Sequence, residues 1–398
     1  MESFGDLNND AKKPATVEEE ARNHFHDEIE GVIPPDLLSE LAKRNPNDPS
    51  FKNTIVEMEK LNKEGLAKPR LGRDEGGKRE VYDAMGQKLE RGEFGEKLRF
   101  EGEPRSGDRE ADAVYDYTGA VRSFYKEVFN RNSIDDNGMK MISRVNYGEN
   151  FQNAYWDGVS MTYGRPGADS PFKSLALLDV TAHEIAHGVT QHESGLVYRG
   201  QAGALNESMS DVFGEMVEQW VNKTSSRNAD WIIGQGIWKD SVNGKGLRDM
   251  LHPGTAYDDS RIGKDKQPGH MDAYVQTTKD NGGVHINSGI PNRAFAEFAR
   301  SVGGYSWEQP GQIWFKARQE AGRNPSFAQF AQATINAAKE LGYNSLVPKL
   351  QASWGAVGVE PSATATDELT PSSGGGGFPF PFPADSDAAA QAKKAQAA

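Results

Sequence analysis

The sequence predicts an α+β protein in which short strands come first along the chain and helices follow. Short apolar runs bounded by turn residues indicate strands at 80–84, 97–100, 141–147 and 154–163. Later segments repeat apolar residues every three or four positions, which predicts helices at 178–193, 204–221, 291–302, 310–320, 326–341 and 345–354. The order of these patterns indicates two structurally different halves.

Composition limits the class of protein. The chain has 398 residues, of which 36% are hydrophobic, enough for one large or two medium domains. A net charge of -13 disfavours nucleic acid as a partner, and no apolar run is long enough for a membrane span. Cysteine is absent, which excludes disulfides and thiolate metal sites. The acidic N-terminus does not have the apolar core of a signal peptide, so we expect a cytoplasmic protein or secretion by a non-classical route.

Both ends of the chain differ from its centre. Residues 1–30 are polar and acidic, residues 51–67 have helical spacing, and residues 68–78 are rich in Gly, Arg and Lys. We therefore expect 1–75 to comprise a disordered N-terminus and a small segment that ends in a cleavable linker. Residues 361–398, with four consecutive glycines and a Phe-Pro repeat, are predicted to form a disordered, low-complexity tail.

The strand-rich half contains one predicted helix and one predicted hairpin. Between residues 111 and 130, apolar residues recur at intervals of three and four, which predicts the helix. Within 154–163, Asp157-Gly158 separates two apolar runs. Asp-Gly between such runs is a strong signal for a tight hairpin turn, so we expect paired strands on either side of it.

The helix that begins at residue 178 carries the first candidate site. His183 and His187 are one helical turn apart and project together, and Glu184 flanks them. The opposite side is an apolar stripe made of Leu178, Ala182, Ile185 and Val189. Two imidazoles at this spacing can hold a divalent metal, and the adjacent carboxylate can act as a base toward water. The alternative is a surface helix with solvated side chains.

The next predicted helix, 204–221, places Glu207, Asp211 and Glu218 on one face, within about 40° of arc. Like charges in this arrangement repel unless cations or imidazoles lie opposite them. We expect Glu207 to be the third zinc ligand and Asp211 to accept a hydrogen bond from a ligand imidazole. Two His and one Glu leave a fourth position for water, as a hydrolytic zinc site requires. The alternative is a solvated acidic face.

The combination of His183-Glu-x-x-His187 with Asn206-Glu207-x-x-Ser-Asp211 resembles the thermolysin-like zinc metallopeptidases. The resemblance extends from residue 79 to residue 359. It includes four further segments in the family's order: Asn153-Ala-Tyr-Trp156, Gly195-Leu-Val-Tyr198, Leu247-Arg248 and Asp280-Asn-Gly-Gly-Val-His285. The cluster Ile33-Pro-Pro-Asp-Leu-Leu38 resembles the short propeptides of the protealysin-like subgroup.

The resemblance implies a two-lobed fold with the active-site cleft between the lobes. A strand-rich N-terminal catalytic lobe would span 76–187 and include the His183 helix, and a helical C-terminal lobe would span 188–360. Residues 1–75 would contain the short propeptide, which would act as an intramolecular inhibitor in a zymogen. The alternative for this segment is an ordinary disordered extension.

The resemblance also assigns roles around the metal. Glu184 would be the general base, and Tyr198 and His285 would donate hydrogen bonds to the oxyanion that develops during the reaction. Asp280 would orient the His285 imidazole and favour its charged form, although an Asp in a loop can also simply cap a turn. Asn206 belongs to the motif that would support the zinc ligands.

Substrate contacts follow from the same resemblance. Asn153 and the Ala154 carbonyl would hold an extended substrate in strand-like pairing, and Arg248 would bind a substrate carbonyl. Val180 and Leu247 would line the primary specificity pocket. The implied preference is cleavage on the amino side of a bulky hydrophobic residue.

Calcium is the point at which the sequence departs from the family pattern. Asp179, Glu218 and Asp230 keep carboxylates at the positions of a double calcium site. Ile232 offers no side-chain oxygen and Gln235 only a neutral one, whereas calcium requires several charged oxygen ligands. We therefore predict at most one structural calcium.

The sequence thus predicts a zinc-dependent neutral endopeptidase that is made as a zymogen and acts on proteins or peptides. A non-catalytic binding protein on a peptidase scaffold is disfavoured because Glu184, Glu207 and His285 are all present. A peptidase-like effector or toxin that acts on one partner protein remains an alternative.

Overall fold

A six-stranded mixed sheet forms the strand-rich N-terminal region. Its strand order is β1-β5-β6-β4-β2-β3. The strands are β1 (Glu30–Gly31), β2 (Arg79–Asp83), β3 (Glu96–Phe100), β4 (Met141–Glu149), β5 (Ala154–Trp156) and β6 (Ser160–Arg165). β4 pairs in parallel with β2 and β6, whereas the outer pairs β2–β3, β5–β6 and β1–β5 are antiparallel. β1 therefore adds an N-terminal strand to the edge of the sheet at β5.

This computed structural model describes residues 29–65, 76–90 and 92–364. The predictions made for residues 1–28, for the linker at 66–75 and for most of the tail lie outside the described residues. The later region also contains two short strand pairs and two turns of 3-10 helix. The pairs are β7 (Ile232–Ile233) with β8 (Arg248–Asp249) and β9 (Asp258–Asp259) with β10 (Gly263–Lys264), and the turns are Met271–Ala273 and Asn344–Leu346.

Ten helices are described. Their bounds are α1 (Pro35–Arg44), α2 (Ser50–Glu64), α3 (Arg109–Phe129), α4 (Leu178–Glu193), α5 (Gly200–Asn222), α6 (Asp280–Asn287), α7 (Gly289–Val302), α8 (Gln309–Glu320), α9 (Phe327–Glu340) and α10 (Val347–Ala356). None of the described helices is long and apolar enough to cross a membrane. The predicted order, a strand-rich N-terminal region followed by a helical C-terminal region, is confirmed.

Local sequence explains several element boundaries. Asp108 caps α3 by accepting a hydrogen bond from the Ala111 amide, and Asn130 ends that helix in the left-handed conformation. Ser326 begins α9 with a capping box that also uses Gln329. The predicted hairpin at Asp157-Gly158 joins β5 to β6, and the Asp157 carboxylate accepts hydrogen bonds from the amides that follow it.

α4 and α5 pack against each other at the centre of the molecule. Residues 179–190 of α4 are all buried, so the helix is covered on every side. This differs from the predicted two-sided helix, because the polar side is enclosed by α5 and by the N-terminal segment. Gly214 permits the close approach: a Cβ there would lie 2.9 Å from the Asp179 carbonyl oxygen. The site-bearing helices are therefore held rigidly by the core.

One hydrophobic cluster connects the two regions. It runs from Val32 in the N-terminal segment through Phe124 of α3 and Val180 of α4 to Trp354 of α10. In the helical region, the Trp314 and Trp354 rings stack with centroids 5.9 Å apart. Burial of such large aromatic surfaces provides a major part of the hydrophobic stabilisation there.

The segment 29–65 packs on the strand-rich region through polar as well as apolar contacts. The hydroxyl of Tyr147 donates to Glu57 of α2 at 3.3 Å, and Lys88 forms an ion pair with the same carboxylate at 2.8 Å. The Gln152 amide donates to Thr54 at 2.9 Å. Helix α2 is therefore anchored beside the strand that β1 extends.

Candidate active site

Three predicted metal ligands meet between α4 and α5. His183 and His187 lie one turn apart on α4, and their Nε2 atoms are 3.1 Å apart. Glu207, on α5, places its carboxylate oxygens 3.6 Å from His183 Nε2 and 3.5 Å from His187 Nε2. Within the described part of the chain, this is the one group of three or more His, Cys, Asp or Glu whose ligand atoms all lie within 4.8 Å of one another.

The outer nitrogen of each imidazole is occupied by a side chain of α5. His183 Nδ1 lies 2.8 Å from Asp211 Oδ1, and His187 Nδ1 lies 2.9 Å from Asn206 Oδ1. These contacts favour a proton on Nδ1, which turns the lone pair of Nε2 toward the centre of the group. Burial lowers the pKa of both imidazoles, more strongly than the nearby carboxylates raise it, and so favours the neutral, metal-binding form.

The donor set fits a divalent transition metal. Two neutral imidazole nitrogens and one carboxylate match the two-His, one-Glu set of a hydrolytic zinc site. The Oε2 atom of Glu207 is buried and makes no hydrogen bond to any described residue. A buried carboxylate oxygen without a donor is costly, and coordination to a cation would satisfy it. His183, His187 and Glu207 are therefore the residues that could hold the metal.

Asp211 is the centre of a buried polar network behind the ligands. Besides contacting His183, it forms a two-fold ion pair with Arg248, with both N–O distances 2.7 Å. Asn292 of α7 donates to its Oδ2 at 2.8 Å. Burial alone would raise the pKa of Asp211, but Arg248 and His183 together hold it well below its usual range. Asp211 therefore stays ionised and can orient the His183 ring.

Asn292 is a residue that the sequence reasoning missed. It is fully buried, although it lies at the start of α7 on the same stripe as Phe295, Ala296 and Ala299. A polar residue within an apolar stripe was the available signal, because buried amides require a specific partner. The partner, Asp211, is 81 positions away and could not be read from local sequence.

Glu184 lies next to the metal group on α4 and is fully buried. Its Oε2 accepts a hydrogen bond from the Trp156 amide of β5 at 3.1 Å. The predicted base is therefore attached to β5, the strand that begins at the predicted substrate-binding residue Ala154.

Tyr198, His285 and Asp280 form a chain of polar contacts on the other side of Glu207. The Tyr198 hydroxyl donates to Glu207 Oε1 at 2.5 Å and lies 3.3 Å from His285 Nε2. His285 Nδ1 lies 2.6 Å from Asp280 Oδ1, and the His285 amide donates to Asp280 Oδ2 at 3.0 Å. Burial opposes the charged imidazole, but Glu207 and Asp280 outweigh it and raise the pKa of His285 to about 9. The predicted oxyanion donors thus lie together.

The backbone before His285 adopts a left-handed turn. Asn281, Gly282 and Gly283 have φ values of 47°, 91° and 79°. Glycine adopts this conformation without steric strain, which explains the Gly-Gly in the motif. The turn brings the Asp280 carboxylate back to both the amide and the ring of His285.

Three of the predicted substrate-binding residues form hydrogen bonds with the chain's own N-terminal segment. Asn153 accepts a hydrogen bond from the Ile33 amide at 2.9 Å and donates to the Ile33 carbonyl at 3.2 Å. The Val32 amide donates to the Ala154 carbonyl at 3.0 Å, and Arg248 donates to the Val32 carbonyl at 3.3 Å. The sequence did not reveal which residues of the segment would lie here.

The segment is also buried among apolar residues. Val32 and Ile33 are fully buried and belong to the hydrophobic cluster that contains Val180 and Leu247. Gly31 pairs with Tyr155 in the ladder, and a Cβ at Gly31 would lie 2.5 Å from Asn153 Nδ2. The segment 31–33 is thus closely fitted to the groove.

The three calcium candidates do not form a second metal group. Asp179 accepts a hydrogen bond from the Gly234 amide, and Asp230 accepts one from Gln235 at 2.6 Å. Burial, together with the charges of Asp179 and Asp230, raises the pKa of Glu218 to about 8. The carboxylates are neighbours, but in the described residues they are not arranged as the zinc candidates are.

This fold and this site define a metalloendopeptidase, and the comparisons with known proteins agree. The family model "Thermolysin metallopeptidase, catalytic domain" matches residues 77–191, and "Thermolysin metallopeptidase, alpha-helical domain" matches residues 194–359. The chain therefore belongs to the thermolysin family of metallopeptidases, whose members use a catalytic zinc.

Individual relatives are similar over most of their length. An extracellular metalloprotease of Pectobacterium carotovorum is 45% identical over 71% of this chain and 81% of its own. Protease PrtS of a Photorhabdus strain is 42% identical over 71% of this chain and 76% of its own. The solved precursor of protealysin from Serratia proteamaculans superposes with a TM-score of 0.76 at 39% identity, covering 83% of this chain and 99% of that structure. The predicted family resemblance is confirmed.

Proposed function

We propose that this chain is a zinc-dependent neutral endopeptidase that is synthesised as a zymogen. The observation that carries the proposal is the arrangement around His183, His187 and Glu207. Both imidazoles have Nδ1 held by α5, so that Nε2 and the Glu207 carboxylate converge. Glu184 lies beside this group on the same helix.

Bound zinc would supply Lewis acidity that activates water and polarises the scissile carbonyl. Glu184 would accept a proton from the attacking water and later pass it to the leaving amine. Its hydrogen bond from the Trp156 amide orients the carboxylate toward the edge strand where the substrate lies. In a buried site this orientation is maintained without reorganisation by solvent.

Tyr198 and His285 would stabilise the negative charge that develops on the carbonyl oxygen. The charged form of His285 is the better donor, and Asp280 supports it through Nδ1. Asp211 would hold the His183 ring, and Asn206 the His187 ring, so that the ligands need no reordering. The supporting observation is that the polar atoms in each of these contacts are no more than 3.3 Å apart. The contacts are His183–Asp211, His187–Asn206, Tyr198–His285 and His285–Asp280.

The substrate would bind as an extended strand against β5. Asn153 and Ala154 would make the main-chain hydrogen bonds, and Arg248 would bind a carbonyl one residue away, as they do with the segment 32–33. Val180 and Leu247, which are both buried, would accept an apolar side chain. We infer cleavage on the amino side of bulky hydrophobic residues.

The segment 29–65 would be a propeptide that inhibits the enzyme from within the same chain. It adds β1 to the strand that would bind substrate and uses the same donors and acceptors. We assign the propeptide to residues 1–75, the catalytic lobes to 76–187 and 188–360, and an appended tail to 361–398. Removal of the propeptide would require cleavage before residue 79, where β2 enters the sheet.

The remaining proposals concern metals and location. We propose one catalytic zinc and at most one structural calcium, the latter at Asp179, Glu218 and Asp230. The net charge of -13 argues against nucleic acid as a partner. For location we propose the cytoplasm or secretion by a non-classical route, and comparing washed cells with culture medium by antibody would test this.

The decisive experiment is peptide hydrolysis by the purified chain after propeptide removal, with and without zinc chelation. Glu184→Ala should bind zinc as the unmodified chain does but lose at least about 10²-fold in kcat, the scale of general-base catalysis. His192→Ala, at an exposed position on the same helix, is a matched control. Full activity after complete zinc removal would disprove the mechanism.

A further inference from the structure

Arg318 is a charged side chain that is buried without an ion-pair partner among the described residues. It lies on α8 and its exposed fraction is 0%. Its Nε and both terminal nitrogens make no hydrogen bond of ordinary geometry to any described residue, and its polar neighbour is the hydroxyl of Tyr125. Buried guanidinium groups in proteins are ordinarily paired, because Arg keeps its proton and its charge in proteins. The active-site network makes no use of this residue.

Two aromatic rings lie against the Arg318 guanidinium. Its central carbon lies 4.7 Å from the Phe213 ring centroid and 4.8 Å from that of Phe315. Tyr125 stacks on Phe213 with an interplanar angle of 12°, and its buried hydroxyl interacts with Arg318 but makes no hydrogen bond of ordinary geometry to a described residue. Ring contacts stabilise the faces of a planar cation but leave its in-plane N–H groups unsatisfied.

A second buried arginine lies near this group. Burial and then the charge of Arg318 lower the pKa of Arg131, and Tyr125 acts on both arginines. Arg131 forms an ion pair with Glu193 and donates to the Ile134 carbonyl at 2.7 Å, while its Nε has no partner in the described chain.

The charges of this cluster do not balance. Glu193 is the carboxylate that pairs with Arg131, and its second oxygen accepts a hydrogen bond from Gln319 at 2.7 Å. Asp135 and Asp136 act on Arg131 from the adjacent loop, but among the described residues no carboxylate contacts Arg318. The cluster therefore contains two guanidinium groups but one carboxylate, and both oxygens of that carboxylate are already bonded. One positive charge inside the protein is left without a balancing negative charge.

The unsatisfied groups are almost all hydrogen-bond donors. Arg318 offers three nitrogens, Arg131 offers Nε, and burial raises the pKa of Tyr125 so that its hydroxyl keeps its proton. A water molecule could accept from two of these donors but would leave the charge uncompensated. A monovalent anion would satisfy the donors and neutralise the charge together.

We propose that Arg318, Tyr125 and Arg131 form a buried binding site for a small monovalent anion of the halide class. The residues come from α3, from the loop that follows it and from α8, and Phe213 contributes from α5. The anion would therefore stabilise the packing of the strand-rich region against the helical region. The proposal is independent of proteolytic activity.

The test is thermal unfolding of the full zinc-loaded chain in chloride or in gluconate at equal ionic strength. Glu184→Ala would be present throughout to prevent self-digestion. Gluconate is too large an anion for the proposed site. We therefore expect Tm to be roughly 2–4 °C higher in chloride than in gluconate. Arg318→Met should abolish this difference, whereas Arg323→Met, at an exposed arginine shortly after α8, should retain it. Equal Tm values in the two salts would overturn the proposal.

Bromide soaking of crystals tests the same site without relying on a variant that folds. We expect an anomalous peak within hydrogen-bond distance of the Arg318 guanidinium and the Tyr125 hydroxyl. Water density there without an anomalous peak would overturn the proposal, and so would a chloride effect on Tm that survives Arg318→Met.

Discussion

Gly31→Ala should partly activate the uncleaved chain. A Cβ at Gly31 would lie 2.5 Å from Asn153 Nδ2 and 2.9 Å from Asn153 Cγ. Contacts this short are not tolerated, so the Asn153 side chain or the segment must move. Because Asn153 makes two hydrogen bonds to Ile33, either movement weakens the attachment of the segment to the groove.

The structure gives the size of the effect. Each neutral hydrogen bond contributes about 0.5–1.5 kcal/mol net, so the loss of two weakens the closed state by about 1–3 kcal/mol. This corresponds to an increase of roughly 5- to 150-fold in the fraction of molecules with an open groove. The rate at which the intact chain hydrolyses a short peptide should rise by the same factor.

The assay is the initial rate of cleavage of a quenched fluorescent peptide, with electrophoresis at each time point to show that the chain is still uncleaved. Gly355→Ala is the matched control, since a Cβ at Gly355 meets no atom within 4 Å. After removal of the propeptide, both variants should have the kcat/KM of the unmodified enzyme. An intact Gly31→Ala chain as inactive as the control would refute the inhibitory role of this contact.

Three further predictions concern the metal sites and the strand-rich region. Asn292→Ala should weaken zinc binding by about tenfold, because Asp211 loses a buried donor, and zinc titration against exposed Asn336→Ala as control checks this. Elemental analysis after dialysis should find one tightly held calcium per chain or none, and two would contradict the proposed loss of the second site. Glu101→Gln should lower Tm at pH 6. Hydrogen bonds from Arg79, opposed by burial, lower the pKa of Glu101 to about 2. This carboxylate therefore stabilises the fold above its unfolded pKa, and the stabilisation is lost as pH falls from about 4.5 toward 2. A Tm difference that stays constant from pH 6 to pH 3 would contradict this assignment.

Local sequence patterns predicted the element order and the metal ligands well, for a physical reason. His183 and His187 occupy one helix face by geometry alone, and the Asp157-Gly158 turn is determined by its own dihedral preferences. Such features depend on neighbours within a few residues. The helical spacing of the next segment then indicated Glu207 and Asp211, which lie on the adjacent helix.

The features that the sequence did not reveal depend on contacts across the fold. Asn292 contacts Asp211, and Val32 contacts Arg248 across 216 positions, so neither partner is visible locally. The complete burial of α4 was missed for a related reason. A helical pattern with one polar face predicts that this face is exposed to solvent. Buried His and Glu side chains are nevertheless stable when each of their polar atoms has a partner. The burial of Arg318 gave no signal within its own helix.

The pairing of β1 with β5 has a consequence for the kinds of protein that this enzyme can digest. Once the first strand is removed, β5 offers an edge of three residues that requires a partner in an extended conformation. A helix or an intact sheet cannot present its backbone in this way without local unfolding. Native proteins should therefore be cut at loops and frayed ends, and denatured ones throughout. The rate of digestion of a folded target would then report how often that target opens locally.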